Sequence, residues 1–200
     1  RRVKYAVLPN FQFEILNLKS NSNVRIIKFS KTKIKIISPS LAGEYNKYNV
    51  GAVAAVAKIF KIQDSIINDV VRSFAGVPGR REEVKMGQDF RCIVDFAHTP
   101  NALEQLLTSL KKETKGKLIL IFGCTGERDR AKRPVMGKIA SDLADIVIVT
   151  TDDQRNESQY EIYKQIISNF EFRISNLFRE DDRDKAIEMG VRMAKRGDIV

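Results

Sequence analysis

The stretch from Leu118 to Leu143 constrains the fold of this chain more than any other. An apolar run, Leu118 to Phe122, reads as a buried strand, and the periodic stretch Val135 to Leu143 reads as a helix. Between them lies the polar turn Gly123-Cys124-Thr125-Gly126-Glu127-Arg128-Asp129-Arg130-Ala131-Lys132-Arg133-Pro134. A Gly-containing turn from strand to helix is where α/β proteins bind ligands, because helix N–H groups and the helix dipole point at the visitor. Arg128, Arg130, Lys132 and Arg133 predict an anionic visitor, since arginine's planar fork grips carboxylate or phosphate with two parallel hydrogen bonds. The same residues also read as a solvated basic loop.

The chain downstream of residue 77 alternates strand and helix. Strands are expected at Arg91–Phe96, Lys117–Phe122, Ile146–Thr151 and Phe172–Phe178, and helices at Pro100–Lys112, Ala131–Leu143, Ser158–Asn169 and Asp182–Lys195. Repeated β-α alternation implies an α/β fold with a mainly parallel sheet, whose ligands gather at the carboxyl ends of the strands. Three loops then share one rim: Asp95 to Thr99, Gly123 to Arg133 and Asp152 to Glu157. The closing residues, Gly197-Asp198-Ile199-Val200, read as the opening of a further strand, so the chain is expected to be part of a longer protein.

The first 76 residues have a different texture. Lys4–Leu8 has strand character, and Val24–Phe29 and Lys33–Ile37 are expected to form a hairpin joined by Ser30-Lys31-Thr32. Helices follow at Tyr48–Phe60 and Gln63–Phe74. Gly76-Val77-Pro78-Gly79-Arg80 breaks the pattern, which puts a domain boundary near residue 77.

Composition excludes several classes. No apolar run is long enough for a transmembrane helix, so no membrane insertion is expected. One histidine and two separated cysteines give no metal-ligand spacing. Cys92 and Cys124 are expected to be buried free thiols, as in a reducing cytoplasm. The formal net charge of +10 raises nucleic-acid binding. No aromatic-basic stacking motif or recognition helix supports that partner, and an anionic substrate accounts better for the local clusters.

Each rim loop admits two readings. Asp95 can accept from ribose hydroxyls and His98 can donate to phosphate; equally, Thr99 or His98 caps the next helix while Asp95 satisfies local amides. Asp152, Asp153 and Arg155 can hold a zwitterion, acids on its ammonium and arginine on its carboxylate; equally, the loop caps the helix beginning near Ser158. No Ser-His-Asp ordering suggests an acyl-enzyme.

Together these segments resemble the Mur ligase family. The matching motifs run in order: Leu41-Ala42-Gly43-Glu44-Tyr45-Asn46 through Asn49 with Ala54-Ala55; Gly76 to Glu82; Val94-Asp95-Phe96-Ala97-His98-Thr99-Pro100; Phe122 to Pro134; and Asp152 to Glu157. The resemblance implies that residues 1–76 are the C-terminal part of a central ATP-binding domain. Residues 77–200 are then a truncated Rossmann-like C-terminal ligase domain, with the turn around Pro78 as the hinge for closure. It implies an ATP-dependent ligase of peptidoglycan synthesis that uses Mg2+ and an acyl-phosphate. The partners implied are UDP-N-acetylmuramoyl-dipeptide and a free amino acid, with a monomer in the cytoplasm expected. Asn46, Asn49, Arg80, Asp95 and His98 fall at ATP-binding positions. Arg128 falls at a position that binds the incoming amino acid, and Asp152, Asp153 and Arg155 at the loop that selects its side chain.

The sequence departs from the family's pattern in places. The selecting loop of diaminopimelate-adding members reads Asp-Asn-Pro-Arg, against Asp152-Asp153-Gln154-Arg155 here. Arg155 suits the extra carboxylate of meso-diaminopimelate, while Asp153 adds an opposing charge; diaminopimelate is expected over lysine. Phe96 replaces the usual tyrosine, and Thr125 and Glu127 replace the commoner Gly and Asp. The phosphate loop, the carbamylated lysine and most Mg2+ ligands are expected outside this chain, so no catalytic residue is assigned and the chain alone is expected to be inactive. The alternatives are a folylpolyglutamate-type ligase, which the Gly126-to-Pro134 and Asp152-to-Arg155 loops oppose, and a non-catalytic binding module.

Overall fold

The computed structural model describes residues 5–9, 25–170 and 176–200. The chain divides into two compact units, Arg1–Gly76 and Val77–Val200.

In the first unit, β1 (Tyr5–Pro9) pairs in parallel with β2 (Arg25–Phe29), Tyr5 opposite Arg25. The expected hairpin between residues 24–29 and 33–37 does not form. Residues 30–38 are irregular, and the Thr32 N–H donates to the Lys47 carbonyl at 2.9 Å rather than to a partner strand. The alternation there has another cause: Ile34 and Ile36 pack on the core formed by Val50, Ile67 and Val71. That core is carried by α1 (Glu44–Ile59) and α2 (Asp64–Ser73). Helix α1 begins a turn earlier than the apolar stripe suggests. Gly43 occupies the N-cap at φ 103°, and Glu44 in the first turn complements the helix dipole.

The second unit is built on a parallel sheet. β5 (Ile119–Phe122) pairs with β6 (Ile146–Val149), which pairs with β7 (Leu177–Arg179). Residues 171–175 of the expected 172–178 strand lie outside the described residues. An antiparallel pair unforeseen from the sequence, β3 (Glu82–Val84) with β4 (Cys92–Val94), stands beside it. The closing residues join the two. Ile199 bridges Arg91 on one side and Leu118 on the other, both in parallel, through Val200 N–H to the Arg91 carbonyl at 2.9 Å and Ile119 N–H to the Ile199 carbonyl at 2.8 Å. Residues 198–200 thus lie between β4 and β5, as their strand character suggested.

β5 and β6 are buried on both faces, which is why they read as unbroken apolar runs. Leu118, Phe122, Val147 and Val149 pack with α3 (Pro100–Glu113), α4 (Lys132–Leu143) and α5 (Gln159–Ile167). Ile119 and Ile148 pack with α6 (Arg183–Met193) through Ala186 and Met189. Thr99 caps α3 by accepting the Ala102 N–H, with Pro100 in the first turn, and Asp182 caps α6. Gly137 lets α4 lie against α5: a Cβ there would stand 1.8 Å from the Ile166 carbonyl oxygen.

The thiols divide. Cys124 is buried, and burial pushes its pKa up to about 11, whereas Cys92 is only half-buried, because β4 has one face toward solvent. Among the described residues, no helix is long and apolar enough to cross a membrane.

Candidate functional site

The carboxyl ends of β4, β5 and β6 deliver three loops to one edge of the second unit. The Lys132 ammonium joins the first two, donating to the His98 carbonyl at 2.7 Å.

The loop after β4 forms a short stack. The Arg80 guanidinium lies over the Phe96 ring at 4.5 Å, and the His98 ring meets Phe96 edge-on at 4.9 Å. His98 Nδ1 sits 3.1 Å from the Phe96 carbonyl, an acceptor, so that nitrogen carries a proton. Asp95 Oδ2 accepts the Arg81 backbone N–H at 2.8 Å, and Oδ1 has no partner among the described residues. The capping reading of this loop is what forms, since Thr99 caps the helix and Asp95 satisfies an amide, while one Asp95 oxygen and the Arg80–Phe96 face stay available. The arginine beside Arg80 has a different role. Arg81 is buried and its fork is held by Glu113, which also receives Arg91.

The loops after β5 and β6 are zipped together. The Gly126 N–H donates to the Asp153 carbonyl at 2.7 Å, and a Cβ on Gly126 would stand 2.0 Å from the Gln154 carbonyl oxygen, so only glycine allows this approach. Thr125 Oγ1 donates to Asp152 at 2.7 Å, and Asn156 Nδ2 donates to Glu127 at 2.9 Å. Glu157 receives the Glu127 N–H at 2.6 Å. The capping alternative for this loop is not what forms: Ser158 at the α5 N-cap makes no side-chain cap bond.

The four cations of the β5–α4 turn separate sharply. Arg133 is fully buried, its guanidinium bonded to Glu157, to Gln165 at 2.7 Å and to the Thr125 carbonyl at 3.1 Å. Arg130 lies 3.4 Å from Glu157, and Lys132 is tied to the β4 loop. Arg128 is exposed and has no hydrogen-bond or ion-pair partner among the described residues. The expectation of four ligand-facing cations is thus corrected: one is free, and Arg133 is part of the scaffold. A signal for this was in the sequence, because Arg133, Met136, Gly137 and Ala140 form the buried stripe of α4 at helical spacing.

Arg155 is ion-paired to Asp153, Nε to Oδ2 3.4 Å, with its backbone in the left-handed region at φ 50°. Glu157, which sequence reasoning treated as one residue of the loop, is its electrostatic centre. Hydrogen bonding from Arg133 above all, and from the Glu127 N–H, holds its carboxyl at about 2. Because that lies below the ordinary 4.5, the contribution of this carboxylate to stability is full above pH 4.5 and is lost as pH falls through about 2. The melting-temperature gap between the protein and its Glu157→Gln variant should therefore be constant near neutrality and shrink between those limits. A gap that does not change with pH would exclude this account.

Asn46 and Asn49 belong to the first unit. Asn46 is buried, donating to the Ala42 carbonyl at 3.0 Å and accepting from Asn49 Nδ2 at 2.9 Å, which leaves Asn49 Oδ1 open on the helix surface. Among the described residues no group of three or more His, Cys, Asp or Glu side chains could hold a metal ion. The Mg2+ that the resemblance implies is assigned to none of the described residues.

Comparison with known proteins agrees with this architecture. The family profile of the Mur ligase glutamate ligase domain matches residues 79–200. The UDP-N-acetylmuramoyl-L-alanyl-D-glutamate--2,6-diaminopimelate ligase of Fusobacterium nucleatum is 40% identical over 172 residues, spanning 85% of this chain and 35% of its own length. The enzyme of the same name from Clostridium perfringens is 35% identical over 202 residues, spanning 98% of this chain and 40% of its own. A solved structure of a ligase of that name superposes with a TM-score of 0.60 at 28% identity, over 98% of this chain and 47% of the other. Folylpolyglutamate synthase of Mycobacterium tuberculosis superposes at 0.70 with 17% identity, over 89% of this chain and 46% of the other, a likeness of fold. The chain thus spans less than half the length of these relatives. With the profile covering more than half of it and relatives at this identity, the chain belongs to the Mur ligase family.

Proposed function

We propose that this chain is the amino-acid-selecting and nucleotide-covering part of an ATP-dependent ligase. Its reaction would join meso-diaminopimelate to UDP-N-acetylmuramoyl-L-alanyl-D-glutamate in the cytoplasm, with the protein acting as a monomer. Residues 1–76 would be the end of the central ATP-binding domain and residues 77–200 the C-terminal ligase domain.

The observation that carries this reading is the free Arg128 on a turn locked to the loop bearing Asp152, Asp153 and Arg155. Diaminopimelate is a zwitterion with a second amino-acid head. It needs one cation for the reacting end's carboxylate and another for the distant one, and Arg128 and Arg155 are placed on two joined loops to supply them. Asp152 is the acid proposed for an ammonium, while Asp153 faces Arg155 as its counter-ion. Arg80, Asp95 and His98 would meet ATP, with the open Asp95 oxygen accepting from a ribose hydroxyl, and Asn46 and Asn49 would lie near the base. ATP supplies the activation of the acceptor carboxyl group, which the amine of the incoming amino acid then converts to an amide. The work of these loops is to hold that amine's owner in one orientation.

The test is a product assay with the full-length ligase carrying these residues, ATP, UDP-N-acetylmuramoyl-L-alanyl-D-glutamate and either diaminopimelate or lysine. The expected product has the mass of the diaminopimelate tripeptide, with kcat/KM for diaminopimelate at least tenfold above that for lysine. Glutamate added to a folate instead would give the folylpolyglutamate reading, and failure with every acceptor would give the binding-module reading.

A further inference from the structure

We infer that the pair formed by the buried Arg133 and the half-buried Glu157 is a positioning device that sets the distance between the two arginines proposed to read the substrate's carboxylates. The inference rests on the proposed amino-acid site and adds to it two residues that bind no substrate.

The geometry is that of a pin through both loops. Arg133 belongs to the first turn of α4, is 0% exposed, and its fork reaches three separate segments. One terminal nitrogen donates to Glu157 at 2.8 Å and to Gln165 of α5 at 2.7 Å; the other donates to Glu157 at 3.2 Å and to the Thr125 carbonyl at 3.1 Å. The carboxylate is engaged from the other side too. Glu157 accepts the Glu127 N–H at 2.6 Å, and Glu127 holds a left-handed backbone at φ 52°. Arg128 follows Glu127 directly, and Arg155 stands two residues before Glu157. The pair therefore lies between the backbone carrying Arg128 and the backbone carrying Arg155.

A stabilising role alone accounts poorly for this arrangement. Buried ion pairs add little stability over well-packed apolar side chains of similar volume, and Arg133 Nε is left buried without a partner, a further cost. What a guanidinium offers that a hydrophobe does not is a planar fork with fixed directions. Two charge-assisted bonds to one carboxylate, with the remaining donors spread over α5 and the β5 loop, admit a single relative placement of the loops. A dibasic reader of a dicarboxylate needs such a placement, because an error of about 1 Å in a bound substrate's orientation lowers rate strongly.

Arg133→Lys and Glu157→Gln in the full-length ligase test the inference. Lysine keeps the charge as a point donor and cannot reach all three acceptors; glutamine keeps the shape and loses the charge. Both variants should raise the KM for diaminopimelate tenfold or more, leave the KM for ATP within twofold, and lower discrimination against lysine, because the lysine side chain does not use the Arg155 end. Lower melting temperatures with an unchanged KM for diaminopimelate and unchanged discrimination would overturn the inference and leave the pair purely structural. Should Arg133→Lys fail to fold, Glu157→Gln decides alone, since its carboxamide still fits the Glu127 N–H. Wild-type enzyme that does not use diaminopimelate at all would instead count against the proposed function, so the two failures are distinct.

Discussion

Replacing Arg128 with Ala in the full-length ligase should raise the KM for the incoming amino acid about 100-fold and leave the KM for ATP within about twofold. Three of the four cations on the β5–α4 turn are spoken for by Glu157, Gln165 and the His98 and Thr125 carbonyls, and Arg128 alone is open to a ligand. A hydrogen bond to a charged partner contributes about 1.5–3 kcal/mol, and a bidentate arginine–carboxylate contact makes two of them with shared desolvation. A 100-fold loss corresponds to about 2.7 kcal/mol, which is within that range. Arg128→Lys should recover part of the loss, since it restores the charge without the fork. Steady-state kinetics with each substrate varied in turn checks the assignment. An unchanged amino-acid KM and kcat would remove Arg128 from the site, and a rise confined to ATP would move it to the nucleotide.

What the sequence revealed and what it hid divide along the range of the interactions. β5 and β6 were legible because burial on both faces demands continuous apolar runs, and α3 because Thr99 and Pro100 mark its start locally. The β3–β4 pair was not, since Glu82-Glu83-Val84 has no strand pattern of its own and becomes a strand only by pairing with Cys92-Ile93-Val94. The hairpin expected at residues 24–37 failed for a related reason. Alternation at Ile34 and Ile36 states which side is buried but not against what, and the partner of β2 turned out to be β1, from an earlier part of the chain. The rim loops were found by their polarity and their place after strands. Their internal wiring was hidden: which of four neighbouring cations is free depends on which one falls on the inner face of α4, and Glu157 gains its role from segments distant in sequence.

The second large effect is expected at Arg155, where Arg155→Ala should lower the ratio of kcat/KM for diaminopimelate over lysine about 100-fold, chiefly by loss of diaminopimelate use. Diaminopimelate and lysine differ at the far end by one carboxylate, so a residue that reads it changes the ratio and not the common reaction. The structure adds a complication specific to this chain. Asp153 already sits 3.4 Å from the Arg155 side chain, as a counter-ion that an incoming carboxylate has to displace. Both side chains are partly open to solvent, where such a pair contributes about 0.2–1 kcal/mol. Asp153→Asn should therefore raise kcat/KM for diaminopimelate by up to about fivefold, in the direction opposite to Arg155→Ala. Added salt screens the exposed pair and the substrate's attraction to Arg155 alike, so the advantage of Asp153→Asn should narrow as ionic strength rises. The Gly126 N–H bond to the Asp153 carbonyl involves backbone alone and survives the substitution, which keeps the loop in place while the charge changes. A diaminopimelate-to-lysine ratio unmoved by Arg155→Ala would assign the far carboxylate to another residue. If Asp153→Asn weakened diaminopimelate use instead, Asp153 would be a ligand for the substrate's ammonium rather than a competitor for its carboxylate.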